Sequence, residues 1–249
     1  MKRILFAIIA VLALAGFTAE ARTYALLAAV SNYGGEGDNQ HTTTGAKAFR
    51  DVLKTQTNDV SLLTSRYANA SNILDKLKTI CQHAQKGDRI IFFFNGHGFP
   101  GGLACYDSSL MYSDLVKTLT DTKASEVFVF INACYSGSAN QEVQNTDNWF
   151  EGLKPREGHV YMLSSRADEL SWSAGWLNKS FFTQALLTGY RGKADTNHDR
   201  AVTVIELFRH IHKDVVRRSG DVQHPILIAP RSMHDVEVIR YPEAPAAEE

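Results

Sequence analysis

Cysteine is scarce in this sequence, with only Cys81, Cys105 and Cys134 among its 249 residues. Three cysteines are too few for a scaffold built on disulfide bonds, so the fold must depend on a hydrophobic core. The odd number also leaves at least one thiol unpaired within the chain. Cys81 and Cys105 are either a disulfide pair or two buried free thiols, and both alternatives stay open at this point.

An excess of charge is also absent, because 26 basic and 27 acidic residues give a net charge of -1. No basic tract stands out along the chain. Proteins whose main partner is nucleic acid or an anionic membrane surface usually carry a clear positive excess. The composition therefore argues against both partners, and it leaves the oligomeric state open.

Only one long apolar run occurs, Ile4–Ala15, and it is shorter than the roughly 20 residues that a membrane-spanning helix needs. It follows the basic start Met1-Lys2-Arg3 and precedes Ala19-Glu20-Ala21, a small-x-small cleavage site. This arrangement predicts a signal peptide over residues 1–21 and a mature chain that begins near Arg22. We therefore expect a periplasmic or secreted protein that is not associated with a membrane after cleavage.

Apolar runs rich in Leu, Val, Ile and Phe alternate with segments of helical period, which is typical of a mostly parallel sheet with helices on both faces. The predicted strands are Tyr24–Val30, Val60–Leu63, Arg89–Phe94, Val127–Ile131, Val160–Ser164 and Pro225–Ile228. The predicted helices are Gly45–Thr55, Ser71–Gln85 with Ser71 as its N-cap, Tyr112–Thr120, Ser180–Tyr190 and Val204–Arg218. Two polar segments, Ser31–Thr44 and Ser136–Gly158, are predicted to be loops. The pattern indicates one α/β domain over residues 22–240, followed by a disordered tail at residues 241–249.

Two of the predicted strands end in residues that suit nucleophilic catalysis. One apolar strand runs into Asn95-Gly96-His97-Gly98, and another runs into Asn132-Ala133-Cys134. If the two strands are neighbours, the imidazole and the thiol emerge side by side at the same edge of the sheet. A cysteine attacks well only as a thiolate, and an imidazole can accept its proton and later protonate a leaving amine. The backbone N–H groups of Gly98 and Cys134 are candidates for an oxyanion hole.

Each of these residues also has a structural interpretation when it is taken singly. A cysteine at the end of a buried strand is often an inert core thiol, and Gly-His-Gly alone is compatible with a tight turn. The joint occurrence at the ends of two strong apolar strands favours the catalytic interpretation.

At these residues the sequence resembles the caspase-like clan of cysteine peptidases, which includes legumain and gingipain, and especially its bacterial caspase and metacaspase branch. The similar stretches are Ser31-Asn32-Tyr33, Asn95-Gly96-His97-Gly98, Asn132-Ala133-Cys134-Tyr135-Ser136-Gly137, Asp168-Glu169-Leu170-Ser171-Trp172, Phe181-Phe182-Thr183 and Ala194-Asp195-Thr196-Asn197. The resemblance implies a caspase-like three-layer sandwich with a mostly parallel six-stranded sheet. It further implies a cysteine endopeptidase that acts on peptides or proteins through a thioacyl intermediate on Cys134, with His97 as general base and acid and no cofactor required for the chemistry.

Three residues are candidates for substrate binding: Asn132, Arg166 and Asp38. Metacaspases resemble this chain but carry an aspartate at the position of Asn132, where it helps to select arginine or lysine before the cleaved bond. The amide of Asn132 accepts hydrogen bonds yet lacks the Coulomb attraction that singles out a basic side chain. Arg166 either holds an acidic side chain of the substrate or pairs with a neighbouring carboxylate, and Asp38 is able to attract a basic residue. The cleavage preference stays open, and a catalytically inactive binding or regulatory protein with this fold is the alternative function.

The twelve residues Asp195–Glu206 match the spacing of an EF-hand calcium loop. The predicted ligands are Asp195, Asn197, Asp199, Ala201, Thr203 and Glu206. The sixth position carries Arg200 instead of the usual glycine, and a left-handed backbone there costs about 1 kcal/mol. The alternative is an Asp/Asn-rich turn that caps the following helix without a metal.

Overall fold

The computed structural model describes residues 20–33, 40–99, 101–135, 154–166, 169, 173–174 and 179–242. The helices in these residues are α1 (Gln40–Leu53), α2 (Ala70–His83), α3 (Tyr112–Thr120), α4 (Phe181–Thr188) and α5 (Val204–Ser219). The strands are β1 (Thr23–Ala29), β2 (Val60–Thr64), β3 (Arg89–Phe99), β4 (Gly102–Ala104), β5 (Ser109–Met111), β6 (Glu126–Tyr135), β7 (His159–Leu163), β8 (Ser173–Ala174), β9 (Lys179–Ser180), β10 (Ala201–Thr203), β11 (Ile226–Ile228) and β12 (Glu237–Arg240).

Six strands form the central sheet in the order β11-β7-β6-β3-β1-β2. All of their pairings are parallel except that of β11 with β7. The small antiparallel strands β4 and β5 extend the sheet from the end of β3. The predicted six-stranded, mostly parallel sheet is therefore confirmed, and each of the six predicted strands lies in it.

Two apolar cores, one on each face of the sheet, make the three layers. Alternate residues of a strand point to opposite faces, so Phe93 joins the core beneath α1, α4 and α5 while Phe92 joins the core beneath α2 and α3. Both phenylalanines are fully buried. Burial of each such side chain stabilises the fold by about 1.5–3 kcal/mol.

Helix starts differ from the prediction at two places. The N-cap of α2 is Asn69 and not Ser71, because the Asn69 side chain accepts the Asn72 N–H at 2.8 Å. Ser71 lies within the first turn, where its hydroxyl donates to Asp75. Helix α1 begins at Gln40, so the second part of the predicted Ser31–Thr44 loop is helical.

The cysteine alternatives are resolved in favour of two free thiols, since Cys81 and Cys105 are both buried and unbridged. Burial raises the pKa of Cys81 to about 11 and that of Cys105 to about 12, where the nearby Asp107 adds to the effect. Both thiols are therefore protonated and unreactive at neutral pH.

The chain still contacts the domain just past residue 240. Tyr241, the first residue of the predicted tail, donates its backbone N–H to the Arg200 carbonyl at 2.7 Å and its hydroxyl to the Tyr190 carbonyl at 2.9 Å. Residues 243–249 and the predicted signal peptide up to residue 19 lie outside the described residues. Within the described part of the chain, no helix is both long enough and apolar enough to cross a membrane.

Candidate active site

The two strands that carry His97 and Cys134 are parallel neighbours in the sheet. Their register pairs His97 with Cys134 and Asn95 with Asn132. Adjacent strands lie about 4.8 Å apart, so positions 97 and 134 are as close as two strands allow. Both strands run past their predicted ends, β3 to Phe99 and β6 to Tyr135, because they continue to pair with each other.

Strand alternation places these positions on one face of the sheet. Phe93 and Phe130 belong to the core beneath α1 and α4, and positions 95, 97, 132 and 134 follow them at steps of two residues. The contact between Asn132 and Asn95 agrees with this placement. The carboxyl edge of a parallel sheet is where α/β proteins build their sites.

Tyr33 fixes the backbone beside His97. Its hydroxyl accepts the His97 N–H at 2.8 Å and donates to the Ala104 carbonyl at 3.3 Å. The rings of Tyr33 and His97 lie 4.6 Å apart between centroids, tilted by 39°. The sequence pattern marked Tyr33 only as part of a family-like stretch, and its role depends on a contact between residues far apart in the chain.

Gly96 leaves the space that Tyr33 occupies. A Cβ atom at position 96 would lie 2.6 Å from the Tyr33 hydroxyl oxygen and 3.0 Å from the Phe94 ring. Any larger residue must displace Tyr33. The glycine before His97 therefore admits a supporting side chain to the strand tip.

A chain of buried amides lies next to the candidate dyad. Asn132 donates its Nδ2 to Asn95 Oδ1 at 2.6 Å, and Asn95 donates its Nδ2 to the Thr42 carbonyl at 2.8 Å. The Thr42 carbonyl can only accept a hydrogen bond, so the Nδ2 of Asn95 must face it. The Oδ1 of Asn95 then faces Asn132 and requires the Nδ2 of that residue. Asn132 Oδ1 is consequently a buried acceptor that has no hydrogen-bond partner among the described residues.

Of the other predicted substrate-binding residues, one follows β7, the parallel neighbour of β6, and the other lies outside the described residues. Arg166 follows β7, is 58% exposed and lies 3.6 Å from the Glu169 carboxylate. Glu169 also accepts the His224 N–H at 2.6 Å. Arg166 thus forms a surface ion pair, which was one of its two interpretations, and Asp38 lies outside the described residues.

Gly98, the predicted oxyanion donor, lies in β3 opposite Tyr135 of β6 and Leu103 of β4. Its backbone is therefore held at the same strand tip as position 134. The oxyanion hole stays a prediction.

The predicted calcium loop adopts the turn that its spacing requires. Arg200 takes a left-handed backbone with φ of 66° at the sixth position, and its N–H donates to Asp195 Oδ2 at 3.0 Å. Burial alone would raise the pKa of Glu206, but hydrogen bonds from Thr203 and Thr196 outweigh it and lower that pKa. Glu206 also forms a capping box with Thr203 at the start of α5.

The ligand set of this loop fits calcium only in part. Asp195 Oδ1 is buried without a hydrogen-bond partner among the described residues, as a free ligand atom would be. Two other ligand oxygens already accept hydrogen bonds within the loop. Asp199 Oδ2 accepts from Asn197 Nδ2, and Asn197 Oδ1 accepts from the Asp199 N–H. The described residues contain no group of three or more His, Cys, Asp or Glu side chains placed for a metal. Calcium binding stays a prediction.

Calcium at ten times its dissociation constant is expected to raise the free energy of unfolding by about 1.4 kcal/mol. Differential scanning calorimetry in calcium and in EDTA measures this change. Asp195→Asn removes one ligand charge and should reduce the stabilisation by calcium. Magnesium should stabilise the wild-type protein much less than calcium does. Identical unfolding in calcium and EDTA would exclude the site.

Comparison with known proteins identifies relatives of the chain. The family model of the caspase domain, a peptidase family, matches residues 22–235. A probable protease of a Desulfuromonadales bacterium is 26% identical over an alignment of 178 positions, which covers 59% of this chain and 22% of that protein. The chain therefore spans about a fifth of that relative's length. A crystal structure of a Geobacter sulfurreducens protein superposes with a TM-score of 0.66 at 16% identity, covering 89% of this chain and all of that one.

Proposed function

This chain belongs to the caspase-domain peptidase family, and from that premise we propose that it is a cysteine endopeptidase with Cys134 as nucleophile and His97 as general base and acid. The observation that carries the proposal is the register of β3 and β6, in which His97 pairs with Cys134. Peptides or proteins are its substrates.

The chemistry follows from the two side-chain types. His97 accepts the thiol proton as the Cys134 sulfur attacks the carbonyl carbon of the scissile bond. The imidazolium then protonates the leaving amine, and the C–N bond breaks to give a thioacyl enzyme. His97 then takes a proton from a water molecule whose oxygen attacks the thioacyl carbon. The C–S bond breaks, the acid leaves, and the imidazolium returns the proton to the Cys134 sulfur. Backbone N–H groups of Gly98 and Cys134 stabilise the oxyanion in this proposal.

Substrate selection in this proposal does not depend on a negative charge at position 132. Asn132 is neutral, and its amide is engaged with Asn95. We therefore expect no strong preference for arginine or lysine before the cleaved bond. Arg166 and Asp38 remain candidates for contacts with the substrate.

Cleavage of a mixed peptide library tests the proposal. The wild-type protein should cut defined bonds, and Cys134→Ala and His97→Ala should each lower the rate by about 10³-fold or more. Mass spectrometry of the products reports the residues that flank the cut. Equal cleavage by all three proteins would remove the assignment.

We also propose export of the protein by a cleaved signal peptide, from the pattern of residues 1–21. N-terminal sequencing of the protein recovered outside the cytoplasm should begin near Arg22. A sequence that still begins at Met1 would contradict this.

A caspase-fold binding or regulatory protein without catalysis is the second candidate. It is favoured by the Asn132–Asn95 hydrogen bond, because the residue that would meet the substrate is used inside the protein. The reactivity of Cys134 separates the two candidates.

Tyr33→Phe removes the acceptor of the His97 N–H and keeps the ring beside the imidazole. In the proposed peptidase we expect kcat to fall about tenfold with KM unchanged, since one such hydrogen bond contributes about 0.5–1.5 kcal/mol. Tyr24→Phe, within β1 and distant from His97, is the matched control. A Tyr33→Phe protein with the wild-type kcat and the wild-type pH profile would mean that the hydroxyl has no positioning role.

A further inference from the structure

A groove separate from the candidate dyad runs between helix α5 and the outermost strand β11. It encloses about 580 Å³. Phe208 and Leu227, both partly buried, form its apolar floor. Arg209, Lys213 and Arg166 also line it. The groove therefore combines an apolar surface with a basic rim.

The positive charge of the rim is not balanced within the described residues. Arg209 and Lys213 are exposed, and no described carboxylate lies within ion-pair distance of either. Both acidic residues of α5 have other partners: Asp214 is bound by Arg217 and Arg218, and Glu206 is hydrogen-bonded by Thr203. Arg166 is partly compensated by Glu169 at 3.6 Å. The groove is thus complementary to negative charge.

His212 adds little charge to the groove at neutral pH. Burial, followed by the charges of His224 and Arg166, lowers the pKa of His212. Its imidazole is therefore mostly neutral under these conditions, so the charge of the groove comes from arginine and lysine and changes little across neutral pH.

Strand β11 supplies a backbone edge along this groove. It stands at the end of the sheet order and pairs with β7 on one side only among the described residues. Ile226, Leu227 and Ile228 are partly exposed. An edge strand presents unpaired N–H and C=O groups, and an extended peptide can add to such an edge.

We propose that this groove binds an extended acidic peptide segment of a protein partner, which adds as a strand to β11. Side chains that face α5 alternate between apolar residues, seated on Phe208 and Leu227, and carboxylates beside Arg209 and Lys213. The proposal does not depend on the peptidase activity, because none of these residues belongs to the candidate dyad.

Charge argues against a second copy of this chain as the occupant. Pairing of two β11 strands across a twofold axis would bring two basic rims to the same edge. Like charges placed face to face at an interface oppose association. An acidic peptide instead gains from the same charges.

Fluorescence anisotropy with a labelled Glu-Thr-Val-Thr repeat peptide tests the proposal. The full chain carrying Cys134→Ala is measured beside the wild type. If the wild type cleaves the probe, the anisotropy falls as it does in weak binding, and the comparison with the variant reveals the cleavage. The acidic peptide should bind, and higher salt should weaken it. Arg209→Glu with Lys213→Glu should raise the dissociation constant at least about tenfold. Lys78→Glu with Lys117→Glu, the same charge change on the α2–α3 surface, should leave it unchanged.

Two further probes separate strand addition from simple charge attraction. A Lys-Thr-Val-Thr peptide should not bind, and an N-methylated acidic peptide, which lacks backbone donors, should bind at least about tenfold more weakly. Equal binding of the acidic and basic peptides, or no binding of the acidic one, overturns the proposal.

Alternative occupants give distinct results. Deletion of residues 243–249, which include three glutamates, should leave the affinity unchanged; binding that appears only after the deletion would make the tail the occupant and overturn the proposal. We do not expect sedimentation to show a dimer that is lost when Arg209→Glu and Lys213→Glu are introduced together. Such a dimer would assign the groove to a second copy and also overturn it.

Discussion

Cys134 is expected to react with iodoacetamide in the native protein at mildly acidic pH, while Cys81 and Cys105 remain unlabelled until denaturation. The buried thiols have pKa values of about 11 and 12. At pH 6 their thiolate fraction is about one part in 10⁵ or less. A thiol paired with an imidazole is deprotonated far more readily, so labelling of the folded protein reports on Cys134.

His97→Ala should slow this labelling by about 10²-fold, since the imidazole is the proposed acceptor of the thiol proton. Peptide mapping after alkylation gives the site and the rate at each pH. The labelling rate of the wild type should stay high down to acidic pH. The labelling rate of His97→Ala should instead rise about tenfold per pH unit, as for an ordinary thiol below its pKa. Cys134→Ser is the control, because it should abolish labelling of the native protein.

A Cys134 that labels only in denaturant would favour the binding or regulatory candidate. Rapid labelling together with no cleavage of any peptide in the library would instead indicate an activated thiol that acts on a different acyl substrate. The labelling and library experiments therefore separate three functions that share one fold.

The central strands were predictable because parallel strands buried on both faces are continuous apolar runs. Arg89–Phe94 and Val127–Ile131 belong to this type, and their order along the chain already favoured adjacent positions in the sheet. The extension of β6 to Tyr135 was not predictable, since Asn132-Ala133-Cys134 has neither apolar continuity nor alternation. Pairing with β3 determines the conformation there.

The short strands were missed for a related reason. Strands β8, β9, β10 and β12 are two to four residues long, which is too short for a periodic pattern. The N-cap of α2 was misplaced by two residues because Asn69 and Ser71 are both good caps, and only the backbone shows which one accepts the Asn72 N–H.

The candidate site divides in the same way. His97 and Cys134 were identified because each ends a strong strand. The contact of Tyr33 with His97 joins residues 64 positions apart and depends on β1 and β3 being neighbours. The groove beside β11 likewise depends on how α5 packs against the sheet edge. Such contacts arise from tertiary packing and leave no local pattern in the sequence.

Asn132→Asp is expected to destabilise the fold at neutral pH by about 1–3 kcal/mol or more. The change replaces the amide that donates to Asn95 Oδ1 at 2.6 Å with a carboxylate that only accepts. Asn95 cannot rotate its amide to compensate without losing its donor to the Thr42 carbonyl. Both asparagines are at most 5% exposed, so water cannot replace the lost donor.

The destabilisation should depend on pH in a defined direction. A buried carboxyl beside an acceptor has its pKa raised above the unfolded value of about 3.9, because only the protonated form donates to Asn95. The native state then binds more protons than the unfolded state, so stability relative to the wild type falls as pH rises above that value. Urea unfolding at several pH values measures the difference.

Asn69→Asp is the matched control for this variant. Asn69 is a partly exposed N-cap whose oxygen accepts the Asn72 N–H, and aspartate serves that role as well as asparagine. Aspartate loses the Nδ2 bond to the Arg66 carbonyl at 3.1 Å, but that bond lies at the surface, where water replaces the lost donor. Its stability should change by less than about 0.5 kcal/mol at any pH near neutrality. Equal stability of Asn132→Asp and the wild type across this range, with new cleavage after arginine or lysine, would show that position 132 faces the substrate. The buried amide chain would then not be the reason for the asparagine.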